Sequence, residues 1–264
     1  MSLAVIWGLF LRYTYLYRRS LPRLLEMVFW PVMDLLVWGF LTLYLREING
    51  GAPGVVTFLL GAMIFWDVIY RSAQGVTMSF LEDIWTRNLL NIFTAPVRIR
   101  EFLAATFLVG VVKISVIVAL LSLLAAACYN FSIFSLGTSL APFLANLLLM
   151  GWAIGMITTA LIMRFGQAVE ALAWAVPFLI QPLSAVFYPV SVLPPALRVV
   201  AWCIPSTPVF EGMRAVLAGH PLPTSNLIHA FLLNGIWIAG AALFFSAMFS
   251  SARKHGYLTK LGTQ

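Results

Sequence analysis

Six stretches of this chain are apolar for about the length of a bilayer crossing, and little lies between them. They cover about 25–45, 55–80, 103–128, 140–163, 168–187 and 227–249, the fifth interrupted by Pro177 and Pro182. A helix needs about 20 apolar residues to cross the hydrocarbon core of a bilayer. The chain is 62% hydrophobic and 9% charged over 264 residues, whereas a soluble domain is about 25% charged. So much apolar surface cannot be hidden inside a globule of this size. In lipid every backbone polar group must be satisfied within the protein. The expected fold class is therefore an all-α integral membrane protein, one domain with six transmembrane helices.

The basic residues place the chain across the membrane. With the N-terminus cytoplasmic, eleven Lys and Arg fall inside: Arg12, Arg18, Arg19, Arg23, Arg87, Arg98, Arg100, Arg164, Arg253, Lys254 and Lys260. Arg46, Arg198 and Arg214 fall outside. That bias sets both termini on the cytoplasmic side. The net charge of +7 flanks apolar runs and forms no soluble basic module, so nucleic acid is not an expected partner.

The N-terminal run "LAVIWGLFL" is followed by its positive charge, whereas a signal peptide carries its charge first. Arg12, Arg18, Arg19 and Arg23 interleave with Tyr13, Tyr15 and Tyr17. Residues 1–23 are expected to form an amphipathic helix in the membrane interface.

Residues 81–101, "LEDIWTRNLLNIFTAPVRIRE", lie between spans two and three. Leu81, Ile84, Trp85, Leu89, Ile92 and Phe93 share one helical face. Glu82, Asp83, Thr86 and Arg87 point the other way, the two acids in the first turn where they suit the helix dipole. Pro96 ends the helix. The segment reads as a short cytoplasmic helix, either plainly interfacial or a handle for a cytoplasmic partner.

Four charges fall within spans. Asp34 is mid-span in the first, Asp67 and Arg71 one turn apart in the second, and Lys113 about ten residues into the third. A charge at bilayer depth costs on the order of 3 kcal/mol and so faces protein or water. Asp67 and Arg71 have the favourable i, i+4 order. Either they neutralise each other, with Asp34 or Lys113 as a third member, or they contact substrate or gate its path.

Visible chemistry is sparse. His220, His229 and His255 have no metal-ligand spacing, and Cys128 and Cys203 have no redox spacing. Two unpaired, buried thiols are the expected state, with a disulfide between them left open. No P-loop, HExxH or GxSxG motif occurs. The chain is not expected to be an enzyme or to bind ATP or another cofactor itself. A membrane enzyme or assembly factor without an ATPase partner, or an ion-coupled carrier, are the alternative classes to an ATP-driven permease.

The segment "FYPVSVLPPALRVVAWCIPSTP", 187–208, is too broken to span and too apolar to leave the membrane. Pro189 stops span five, and Pro194–Pro195 start a helix over about 195–203. A second short helix, "VFEGMRAVL", leads towards span six. Residues 188–219 are expected to form a re-entrant hairpin in the outer leaflet, or else an interfacial cap.

Two stretches carry a family resemblance: "NLLNIFTAPVRIREFLAA", 88–105, and "FYPVSVLPPALRVVAWCIPSTPVFEGMRAVLAG", 187–219. Together with the interfacial N-terminal helix and six spans, they make the chain resemble the permease subunits of ABC type-2 exporters. Small polysaccharide, nodulation-factor and drug exporters belong to that group. The resemblance implies a bacterial inner-membrane location and two permease chains, here identical. It also implies two cytoplasmic ATP-binding cassette subunits, which carry the ATP and Mg2+. It makes Glu82, Asp83, Arg87 and Asn88 the ATPase-coupling residues, and places Asp34, Trp38, Phe178 and Gln181 on the translocation path. Tyr188, Pro189, Pro194 and Pro195 become the outer gate. The implied cargo is amphipathic: a lipid-linked glycan or lipid before a hydrophobic drug.

Overall fold

The computed structural model describes residues 2–48 and 53–255. Lys260 and the side chains of Arg46, Leu89 and Phe93 lie outside the described residues. All regular structure described is helical. Ten α-helices follow one another: α1 (Leu3–Arg18), α2 (Leu21–Ile48), α3 (Pro53–Trp85), α4 (Leu89–Thr94), α5 (Ile99–Tyr129), α6 (Leu140–Phe165), α7 (Leu172–Ile180), α8 (Pro195–Trp202), α9 (Ser206–Leu217) and α10 (Thr224–Lys254).

Among the described residues, four helical segments are long and apolar enough to cross a membrane: Leu21–Leu45, Ile99–Tyr129, Ile133–Phe165 and Thr224–Lys254. These correspond to the first, third, fourth and sixth expected spans. The second expected span is α3, a helix of 33 residues, about 50 Å long at 1.5 Å per residue. It is the axis of the bundle, packed against α2, α5, α6, α7 and α9. Asp67, Ser72, Gln74, Thr77, Ser79, Glu82 and Asp83 are all buried along it. Polar side chains there face protein, not lipid, which is where a membrane protein tolerates them.

The fifth expected span differs. Leu172–Ile180 is a nine-residue helix ending in a 3-10 turn over Gln181–Leu183, about 14 Å of helix. Pro177 cannot donate into the helix and Pro182 sits at the start of the turn, so the backbone does not continue as one rod.

Glycine sets how closely α3 is clasped. A Cβ on Gly151 of α6 would lie 2.4 Å from the Ile69 carbonyl oxygen. One on Gly155 would lie 2.6 Å from that of Ala73. "GWAIG", 151–155, is thus a small-xxx-small contact of the kind that lets membrane helices touch backbone to backbone. On the opposite side, Gly75 approaches Gly110 of α5, a Cβ on the former falling 3.1 Å from the latter's Cα. Interhelical hydrogen bonds add to the clasp. Ser72 Oγ donates to the Leu148 carbonyl at 2.7 Å, and the buried Asn234 Nδ2 of α10 donates to Asn146 Oδ1 of α6 at 2.7 Å.

Residues 81–101 are not one helix. α3 runs on through Leu81–Trp85, and the chain turns at Arg87, whose φ is +54°. The six-residue α4 follows, and then α5 opens with a capping box in which Glu101 accepts from the Arg98 N–H at 2.9 Å. Leu81 and Ile84 are buried as the apolar spacing requires. Glu82 and Asp83, however, sit in the last turns of α3, not at the start of a new helix, and both are buried.

At the other end of the bundle, α8 and α9 form a hairpin. α9 buries Val209, Phe210, Gly212 and Met213 against the core, while α8 leaves most of its side chains exposed. Trp237 Nε1 donates to the Cys203 carbonyl at the turn between the two helices, at 3.1 Å. Trp237 lies thirteen residues beyond Thr224, the start of α10, about 20 Å along that helix.

Candidate functional site

Three clusters of polar side chains organise this bundle. The first ties the N-terminal helix to the end of α3. α1 turns Ile6, Leu9 and Tyr13 inward. Tyr13 donates to Asp83 Oδ2 at 2.5 Å, and Arg12 pairs with the other oxygen of the same carboxylate. One turn away in space, Arg23 of α2 lies 3.6 Å from Glu82. Tyr17 faces Glu82 too, and its ring carries the Lys113 ammonium 3.3 Å from the centroid. Burial, reinforced by the Asp83 carboxylate, pushes the Tyr13 phenol well above its ordinary range, and burial with Glu82 does the same to Tyr17. Both phenols therefore stay protonated and act as donors. Lys113 is not a third member of the Asp67–Arg71 pair; its neighbour is Tyr17.

The four candidate coupling residues thus separate. Glu82 and Asp83 face inward onto α1 and α2, correcting their expected outward orientation. Their apparent place in a first helical turn depended on a break before Leu81 that does not exist. Arg87 is exposed at the turn itself, and Asn88 is half-buried, its Oδ1 accepting from Asn91 Nδ2 at 2.9 Å.

The second cluster lies mid-bundle. Arg71 Nε meets Asp67 Oδ1 at 3.2 Å, both side chains largely buried. Asp34 lies within Coulomb range of Arg71, on the exposed side of α2 among Trp30, Val37 and Phe40. Phe178 of α7 is half exposed and packs at 5.3 Å from the Tyr70 ring and 6.3 Å from Trp66. Trp38 stacks on Phe187 with centroids 4.3 Å apart. Gln181, in the 3-10 turn after α7, is half-buried. Asp34, Phe178 and the Asp67–Arg71 pair therefore gather around α3, while Trp38 belongs to the top of the hairpin.

The third cluster holds the hairpin. Arg214 of α9 donates to the carbonyls of Ala185, Val186 (3.3 Å) and Tyr188 (2.6 Å), and its guanidinium covers the Phe58 ring at 4.3 Å. Glu211 pairs with Arg214 at 3.1 Å and accepts from the Val190 N–H at 2.7 Å. Tyr188 donates to the Pro182 carbonyl, and Pro189 leads in extended conformation into a 3-10 turn. Pro194 and Pro195 are exposed and start α8. The i, i+3 pairing of Glu211 and Arg214 was local and readable, but the backbone groups they hold, about 21 to 29 residues earlier, were not. "GWAIG" was a readable signal, being a GxxxG in an apolar run.

Cys128 and Cys203 are both free and both exposed on the bundle, not buried. Among the described residues no group of three or more His, Cys, Asp or Glu side chains is arranged to hold a metal ion.

A bundle of apolar, membrane-length helices around one polar-lined axis defines an all-α, multi-spanning membrane protein. Residues 40–250, about four-fifths of the chain, match the family model described as ABC-2 family transporter protein. The chain belongs to that family, whose members are exporter permeases that generally work with separate ATPase subunits. No curated protein matches the sequence.

Proposed function

We propose that this chain is the permease of an ATP-driven exporter in a bacterial inner membrane. Two copies enclose the path of an amphipathic substrate, a lipid-linked glycan or lipid in preference to a drug, and two cytoplasmic ATPase subunits hold ATP and Mg2+. Asp34 carries the reading. It is a carboxylate exposed near the middle of α2, a helix that leaves most of its apolar length uncovered. A carboxylate does not face lipid at that depth without a cost of on the order of 3 kcal/mol. A second chain or a hydrated path must cover it. α3 and the α7 segment supply the remaining crossings, and the α8–α9 hairpin enters the membrane from the outer side, as the depth of the Trp237–Cys203 contact supports. Phe178, Gln181 and Trp38 then line the upper path, and Tyr188, Pro189, Pro194 and Pro195 form its outer gate.

The exposed turn at Arg87 and Asn88 is the part of the coupling region that meets the ATPase. Glu82 and Asp83 pass its movement to α1. Copurification with a cassette ATPase, and ATP-dependent transport in inverted vesicles, test the reading. Arg87→Glu with Asn88→Asp should abolish copurification while the permease remains folded. Retention of the ATPase by this variant would remove the docking assignment, and transport without ATP would remove the class.

A further inference from the structure

A cavity of about 400 Å³ opens at the elbow between α1 and α2, lined by Arg12, Tyr15, Leu16, Arg19, Ser20 and Arg23. Three arginines line a space with no carboxylate in its wall. Asp83 is engaged by Arg12 and Tyr13, and Glu82 by Arg23, while Glu26, three residues beyond Arg23, is exposed and not part of the wall. Arg12 uses one amino group on Asp83, while its Nη1 is buried with no hydrogen-bond partner. That nitrogen has no surface open to the cavity, so Arg12 adds its positive charge to the site from behind the wall. Ser20 precedes α2, a helix of 28 residues whose first N–H groups and dipole favour an anion at that point.

The surroundings choose between anions. Tyr15 is exposed at the rim, and Leu21, Leu25 and Phe29 make an exposed apolar stripe at four-residue spacing from the cavity down α2. A free anion has no use for such a stripe, and an acyl chain does. Trp7 and Leu3 are exposed on α1 as well, as a helix lying at headgroup depth requires.

We infer that the α1–α2 elbow is a binding site for the phosphate headgroup of an anionic phospholipid. The phosphate oxygens accept from Arg19 and Arg23, with the Arg12 charge behind them, and the tails run along Leu21, Leu25 and Phe29. Arg12 and Arg23 are the same residues that hold Asp83 and Glu82. A bound headgroup therefore neutralises the excess positive charge of the elbow and fixes α1 against the end of α3. This goes beyond the exporter reading and does not depend on it.

The test uses the full chain in zwitterionic detergent. Phosphatidylglycerol, phosphatidylcholine or inorganic phosphate is added, and bound lipid is counted by native mass spectrometry beside the thermal melting curve. Among the described residues Arg19 makes no ion pair, so Arg19→Gln probes the site without disturbing α1. Arg18→Gln, one residue away and outside the cavity, is the charge-matched control. Phosphatidylglycerol should bind and stabilise where phosphatidylcholine does not. Arg19→Gln should weaken binding roughly five-fold, and Arg18→Gln should leave it unchanged. Equal effects of the two substitutions would mean diffuse surface charge and overturn the site. Full stabilisation by millimolar phosphate alone would overturn the lipid. Loss of a cassette ATPase on Arg19→Gln, with no lipid preference, would reassign the elbow to protein docking.

Discussion

Tyr13 donates its phenol proton to Asp83 across 70 residues of sequence, at 2.5 Å, and both side chains are fully buried. This contact joins the N-terminal helix to the end of the bundle's axis. Its carboxylate also holds Arg12, so one atom group fixes two side chains of α1.

Asp83→Ala should release α1. It strands a buried phenol and leaves a partly exposed guanidinium without its counter-charge. Breaking a buried pair costs on the order of 3–5 kcal/mol, and the 30% exposure of Arg12 places the loss at or below the lower end. Asp83→Asn keeps an acceptor for Tyr13 and should lose less. Trypsin cleavage after Arg18, Arg19 and Arg23 reads α1 release directly. Unchanged cleavage in Asp83→Ala would mean that Ile6 and Leu9 alone hold the helix.

That link explains what could and could not be read from sequence. Asp67 and Arg71 were legible because an i, i+4 pair is local. Leu81 and Ile84 were legible for the same reason and are buried, but Trp85, expected on the same face, is exposed, and Ile92 lies on the separate helix α4. Glu82 and Asp83 were misplaced because helical periodicity runs through a helix end without marking it. The end comes at Arg87, a non-glycine residue with positive φ, which carries no turn signature. The partners that make those acids internal lie on α1 and α2, and no spacing rule reaches that far. α5 is more uniformly apolar than α3, which carries Asp67, Ser72, Gln74 and Thr77 buried along its length. Lipid-facing surface must be apolar, and an interior axis need not be.

Alkaline pH should loosen α1 through the same phenol. The Tyr13 phenol is held above its ordinary value near 10, first by burial and then by Asp83. The folded form thus keeps a proton that the unfolded form releases. Its stabilising effect is complete below about pH 10 and declines as pH rises past the unfolded value. Tyr13→Phe removes the titrating group, so its melting temperature should fall less steeply between about pH 9 and 11 than that of the natural chain. Parallel slopes would show that Tyr13 does not couple α1 to pH.

The glycine clasp should fail on addition of a single methyl. Gly151→Ala would place Cβ 2.4 Å from a backbone oxygen and 2.5 Å from Ser72 Cβ, and backbone cannot swing away. α3 and α6 must separate, at about 1–3 kcal/mol, more than the roughly 1 kcal/mol that alanine gains over glycine in a helix. At Gly240 nothing lies within 4 Å, so Gly240→Ala should be neutral or stabilising. Folded yield and melting temperature in detergent decide it. Equal tolerance at both sites would mean that the two helices do not meet at backbone contact.

The hairpin makes the sharpest demand on the membrane placement. If the turn at Cys203 sits about 20 Å along α10, its exposed thiol faces lipid, not water. Cys203 should then react with an apolar, membrane-permeant maleimide and resist a charged one. Cys128, exposed near the end of α5, serves as the second reporter. Trp237→Phe removes the indole donor to the Cys203 carbonyl, at about 1 kcal/mol. It should raise the charged reagent's rate at Cys203 several-fold while leaving Cys128 unaffected. The carbonyl held by Trp237 otherwise lacks a donor at that depth, where an unsatisfied backbone group is costly. Rapid labelling of Cys203 by the charged reagent in the natural chain would put the hairpin flat on the surface and leave the tryptophan bond a packing contact.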